Sequence, residues 1–167
     1  MKIGIIGPSK LKTLEKINPD FNKIISGLAK KVAESKNEIV LTADKGSSSE
    51  IFAKEYLKNH GKKIYSIIPM NDKEFGYSWV NVDLGEKINC GTWENQPERL
   101  DKESDILICL GYAEGSIIEI MYTKWFKAKV YVIKELVSGK LPIEIDDLDL
   151  KYISFKDFEK ELKSLNS

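Results

Sequence analysis

Cysteine and histidine are nearly missing from this chain: two of the former and one of the latter in 167 residues. Cys90 and Cys109 lack CxxC spacing, and Cys109 sits inside an apolar run, where a thiol behaves as a small hydrophobe. Neither a zinc site nor a disulfide framework is expected. The single histidine, His60, precedes Gly61 at the end of a helical pattern and reads as structural, with Gly61 as the left-handed stop. Net charge is absent, 26 Lys+Arg against 26 Asp+Glu, which removes the electrostatic basis for nonspecific binding to nucleic acid or to an anionic membrane. No stretch approaches the length of a membrane span, and the opening run Met1–Gly7 is too short for a secretory signal. The acidic patch at 144–147 has no histidine or second carboxylate cluster beside it, and there are no repeats. A soluble, cytoplasmic protein is expected, with no metal, no cofactor, no nucleic acid and no membrane among its partners. At 19.0 kDa one domain spanning 1–167 is the simplest reading.

What is present is a series of apolar strands, each followed by a glycine turn and a helix. The central one runs from Ser104 to Ile120. Residues 106–110 (Ile-Leu-Ile-Cys-Leu) form an unbroken apolar run, right for a strand covered on both faces. Gly111 and Gly115 bracket the turn, Ser116 is placed to cap the helix, and Glu119 falls on its first turn. A carboxylate there lies where open α/β sheets bind ligands, although an acid near a helix start is also favourable through the helix dipole alone.

Residues 3–6 make the first strand, ending in Gly7-Pro8-Ser9, where small residues let a ligand approach the backbone. A polar link leads to a helix capped by Asp20, with an apolar stripe to about residue 35. The second strand, 38–43, runs into Asp44-Lys45-Gly46-Ser47-Ser48-Ser49. Hydroxyl and backbone donors at this helix start suit a phosphate or ribose, Asp44 suits ribose hydroxyls and Lys45 a phosphate; the competing reading makes one serine simply an N-cap. A third strand covers 63–68, closed by Pro69. Strands alternating with helices imply right-handed crossovers and a parallel sheet.

From 70 to about 94 the apolar rhythm breaks, and a loop this long is usually a lid or an interface; Val80, Val82 and Ile88 suggest a hairpin around Gly85. Pro97 opens a short helix carrying Arg99, the sole arginine. Two readings of Arg99 stand level: a bidentate phosphate clamp, or a solvated ion pair with Glu103. Residues 129–133 and 152–155 complete the strands, and 157–165 is a closing helix. Trp125 and Phe126, at the end of the central helix, read as core ahead of a surface for pairing.

Together Gly7-Pro8-Ser9, Thr42-Ala43-Asp44-Lys45-Gly46, Ile64-Tyr65-Ser66-Ile67-Ile68-Pro69 and Gly111-Tyr112-Ala113-Glu114-Gly115-Ser116-Ile117-Ile118-Glu119 resemble the successive motifs of the LOG-like family of nucleotide-binding proteins. That family was long mislabelled as lysine decarboxylases and is grouped in the SLOG superfamily. The resemblance spans residues 2–133 and implies a Rossmann-like three-layer α/β/α sandwich with a mostly parallel sheet. The family's hallmark reads Gly-Gly-Gly-x-Gly-Thr-x-x-Glu or Pro-Gly-Gly-x-Gly-Thr-x-x-Glu. Here Tyr112 and Ala113 replace two of its glycines, leaving less room for a phosphate on the backbone.

The resemblance further implies a nucleotide or phosphorylated sugar as ligand, and cleavage of the N-glycosidic bond of a nucleoside 5′-monophosphate to base and ribose 5-phosphate. Glu119 would stabilise the oxocarbenium-like state or orient water. Phosphate would rest on Gly115-Ser116 and Gly46-Ser47-Ser48 with Arg99 over it. In strict register, however, Gln96 stands where the family has its phosphate-contacting arginine. The alternative is a pocket without turnover, a ligand sensor or carrier. The resemblance also implies a homodimer paired through helices beside the site.

Overall fold

The apolar runs become neighbours in a single sheet. The computed structural model describes residues 1–167, with strands β1 (Lys2–Ile6), β2 (Glu38–Leu41), β3 (Ile64–Ile68), β4 (Glu86–Asn89), β5 (Ile106–Cys109), β6 (Lys129–Ile133) and β7 (Leu150–Ile153). Their order is β4-β3-β2-β1-β5-β6-β7, and every pair is parallel. Helices α1 (Lys12–Ile17), α2 (Phe21–Glu34), α3 (Ser48–Lys58), α4 (Gln96–Glu103) and α5 (Glu114–Phe126) lie between them in sequence, and α6 (Phe155–Leu165) follows β7. The result is a Rossmann-like α/β sandwich, and no helix is long and apolar enough to cross a membrane.

Strand periodicity divides the core. Ile3, Ile5, Ile39, Leu41, Ile106, Ile108, Tyr131 and Ile133 point to one face and pack with the apolar stripe of α2, with Phe52 and Tyr56 of α3 and with Phe158 of α6. Val40, Leu107, Cys109, Val130 and Val132 point to the other, where they meet Leu100 of α4 and Ile120 of α5. Because successive strand residues alternate faces, a strand buried on both sides must be apolar throughout, which is what 106–110 shows.

Several expectations change. The 70–94 segment makes no hairpin around Gly85. Its one extended stretch, β4, pairs in parallel with β3, and Val80 forms only an isolated antiparallel bridge with Asp44. A Cβ at Gly85 would stand 2.4 Å from the Ile64 carbonyl oxygen, so the chain passes too close to β3 to turn back there. The polar link after β1 contains α1, pinned by buried Leu14. At the end of α3 the left-handed residue is His60, at φ 57°, not Gly61. Gly61 serves close approach instead, since a Cβ there would lie 2.2 Å from the Tyr56 ring. The last strand ends at Ile153, and Ser154 caps α6 by accepting from the Asp157 N–H at 3.1 Å. Trp125 is not core: it is 74% exposed.

Candidate functional site

The sheet order reverses direction at β1, whose neighbours β2 and β5 are reached through connections on opposite sides. In parallel α/β sheets a crevice opens at the carboxyl ends of the strands at such a point. Here the turns after β1, β2 and β5 are drawn together by contacts that only small residues allow. A Cβ on Gly7 would meet the Ser48 Oγ at 2.5 Å and Leu110 Cβ at 2.9 Å. Gly111, at φ +140°, lies so close to Leu14 and Pro8 that a Cβ would come within 2.8 and 3.1 Å of them.

Between these turns lies a cleft of about 210 Å³. Of the residues singled out from sequence, Gly7, Ser9, Asp44, Gly115, Ser116 and Glu119 line it. Thr42, Trp93, Gln96, Pro97 and Ile118 complete the wall. An adjoining cleft of about 330 Å³ shares Gly7, Ser9 and Gly115 and adds Pro8, Lys10, Thr13, Tyr112, Ala113 and the acid Glu114. Tyr112 does not plug the space: its hydroxyl is 3.1 Å from that of Tyr152 on β7.

Glu119 is the floor. It lies in the second turn of α5, because the helix begins at Glu114 rather than at Ser116. Ser116 occupies the third helical position, where its hydroxyl accepts the Ala113 N–H at 2.8 Å and reaches the Gly111 carbonyl at 3.0 Å. Glu119 is 8% exposed, and its carboxylate accepts from the Gln96 amide at 2.9 Å through Oε1. The same Gln96 nitrogen donates to Thr42 Oγ1 at 2.9 Å, and Thr42 in turn donates to the Ile67 carbonyl at 2.9 Å. Burial pushes the Glu119 pKa up to about 7, with the Gln96 bond opposing and the Asp44 charge adding to it. Asp44 is likewise raised by burial, against the pull of the Ser9 hydroxyl, which donates to it at 2.7 Å.

Behind Glu119, Asp101 of α4 is 1% exposed and neither carboxyl oxygen has a hydrogen-bond partner. Burial first, and then the charge of Glu119, push it up to about 8. Sequence reading passed over Asp101, which looks like any acid on a charged helix.

The remaining expected residues are engaged elsewhere. Ser47 is the N-cap of α3 and accepts from the Glu50 N–H at 3.1 Å; Ser48 is fully buried and donates to the Pro8 carbonyl at 2.9 Å. Gly46, at φ +80°, gives its N–H to Glu50 Oε1 at 3.2 Å. Lys45 Nζ donates to the Ser78 carbonyl at 3.0 Å. Arg99 faces away from the cleft and donates to Glu103 at 2.9 Å, so of its two readings the structure has the ion pair, while Gln96 takes the cleft position. No cluster of three or more His, Cys, Asp or Glu has the geometry to hold a metal ion.

The fold and cleft together define a single-sheet α/β protein with a pocket at the strand ends. The chain is similar along 99% of its length to the molybdenum cofactor binding protein of the phototrophic bacterium Rippkaea orientalis, with a TM-score of 0.74, 16% identity and 97% of that chain covered. It is also similar to the molybdenum cofactor carrier protein of Chlamydomonas reinhardtii (TM-score 0.72, 15% identity, 98% of this chain and 97% of that one). A third likeness is to the crystal structure of TM1055 (TM-score 0.66, 13% identity, 98% of both chains). No protein-family model matches the sequence, and no curated protein matches it.

Proposed function

We propose that the protein binds a phosphorylated small molecule, a nucleotide or phosphorylated sugar, at the carboxyl ends of β1, β2 and β5, and acts as its carrier or sensor. The observation that carries this reading is the Glu119–Gln96 pair. A neutral amide holds the buried carboxylate at the position where the hydrolases of the LOG-like type have a guanidinium, and no arginine or lysine lines the inner cleft. The phosphate is placed in the outer cleft, beside Lys10 and the first N–H groups of α5, which have no partner within the helix. The names of the two cofactor-binding neighbours agree with a carrier role. Retention of Glu119 favours the second reading, N-glycosidic hydrolysis, because a carboxylate near pKa 7 is partly ionised at neutral pH. Ile118 and Trp125 leave α5 with apolar side chains 47% and 74% exposed, and we assign this face to a second copy of the chain, checked by light scattering.

The test is a melting-temperature panel with nucleoside 5′-monophosphates and ribose 5-phosphate, run beside chromatography for released base, on the parent and on Glu119→Gln. A rise in melting temperature without base release supports the carrier. Base release by the parent that disappears in Glu119→Gln moves the assignment to the hydrolase. No shift with any compound overturns both.

A further inference from the structure

Two of the four aromatic residues of the 70–94 segment meet as a pair. Trp79 and Trp93 stack with ring centroids 5.5 Å apart and planes inclined by 6°. Trp93 lines the inner cleft and Trp79 does not, so the stack covers one face of the Trp93 ring from outside the cleft wall and leaves the other face uncovered by Trp79. The wall is held from several sides. The Trp93 indole N–H donates to the Gly76 carbonyl at 2.7 Å and its backbone N–H to Asp72 at 3.0 Å. Trp79 accepts the Lys45 N–H at 2.8 Å, tying the segment to the turn after β2.

Hydrogen-bond accounting around this wall is one-sided. Both Gln96 amide protons are committed, to Thr42 and Glu119; the Thr42 and Ser9 hydroxyls have given theirs to Ile67 and Asp44. What the side chains of the inner cleft still offer is acceptors: Glu119 Oε2, the Gln96 carbonyl oxygen and Asp44 Oδ1, none of which takes a protein donor. These oxygens open onto the cleft, and an occupant that takes water away from them must supply donors in its place.

We infer that the inner cleft is a subsite for a planar nitrogen heterocycle that lies against Trp93 and donates hydrogen bonds from its edge to Glu119, Gln96 and Asp44. This rests on the cleft being a site for a phosphorylated ligand and names the other end of that ligand: an amino-bearing ring rather than a bare sugar phosphate. Stacking on an indole recognises any π-face, and the acceptor floor then selects rings with N–H groups.

Isothermal titration with three probes separates these statements: adenosine 5′-monophosphate, purine riboside 5′-monophosphate, which keeps the ring but lacks the amino group, and ribose 5-phosphate, which lacks the ring. Affinity is expected to fall in that order, with loss of the ring costing roughly ten- to a hundredfold. Adenosine monophosphate should also quench tryptophan fluorescence in the unaltered protein, a readout that needs no variant. Trp93→Leu should erase the ring's advantage while leaving ribose 5-phosphate binding as it was. Equal binding of all three probes, or a ring advantage unchanged in Trp93→Leu, overturns the heterocycle subsite and leaves the phosphorylated-ligand reading standing. Binding of none of the three overturns that reading and this inference with it.

Discussion

The turn after β2 and the turn after β5 read alike in sequence, each with glycine and serine at a helix start and an acid shortly after, yet they are opposites in the structure. After β2 Asp44 opens onto the cleft, but the groups at the helix start are spent internally: Ser47 and Gly46 engage Glu50 reciprocally, Ser48 is locked to Pro8, and Glu50 takes further donors from Lys54 at 2.8 Å and Asn81 at 2.9 Å. After β5 the serine is equally occupied, but the acid Glu119 keeps one oxygen free in a cleft and has an unpartnered Asp101 behind it. One turn is a joint and the other forms the wall of a cleft. The electrostatic signatures follow, with Glu50 held below the usual carboxylate range and Glu119 and Asp101 pushed well above it. Unsatisfied buried carboxyls lower stability and are retained where a ligand or a proton uses them.

The sharpest way to break this contrast is Asp101→Asn. A carboxyl whose pKa rises from 3.8 to about 8 on folding binds its proton more tightly in the native state. Its contribution to stability is therefore complete below about pH 4 and is lost as pH rises towards 8, a change of about 6 kcal/mol at about 1.4 kcal/mol per unit, of which about 4 kcal/mol falls above pH 5. Glu119 adds a change of the same sign between about pH 4.5 and 7. Urea midpoints measured at intervals from pH 5 to 9 should fall steeply for the parent and much less for Asp101→Asn, which should be the more stable of the two at pH 9. Parallel curves for the two proteins would show that Asp101 is not held neutral.

A smaller effect is expected at the closed turn from Ser48→Ala. The hydroxyl is buried against the Pro8 carbonyl, but that oxygen also accepts the Ser48 N–H at 3.1 Å and so keeps one partner. The loss should be about 1 kcal/mol by chemical denaturation, independent of pH between 5 and 9. Binding at the cleft should weaken little, because Ser48 lines neither cavity. A large loss of ligand affinity with unchanged stability would return the serines to the phosphate site.

Sequence carries one half of this contrast better than the other. The apolar run at 106–110 and the alternation around it announce buried parallel strands, and the spacing from Gln96 to Glu119 already sets an amide where the family it resembles has an arginine. Helix α1 and strand β4 escape notice because a six-residue helix with one buried leucine and an edge strand reading Glu-Lys-Ile-Asn carry too few apolar positions to show a period. The role of Ser48 depends on a carbonyl 40 residues away, and the Trp79–Trp93 stack on a segment without regular rhythm. Long-range pairing decides both, and local pattern does not encode it.

The smallest effect, and the one with the opposite sign, belongs to Glu50→Gln. Burial works against the Glu50 carboxylate, but donors from Lys54, Asn81 and the Gly46 N–H outweigh it and lower the pKa below 4.5. A lowered folded pKa means stability that is present above the unfolded value and is lost as pH falls through the folded one. The Lys54 end of the pair is largely exposed, which limits its share, so the total should stay under about 1 kcal/mol. Glu50→Gln should therefore be slightly less stable than the parent at pH 7 and converge with it near pH 3. Asp101→Asn converges with the parent on the same acid side but departs in the other direction, becoming the more stable protein as pH rises. If both variants gained stability with pH relative to the parent, the two turns would share one electrostatic character and the distinction between joint and cleft wall would fail.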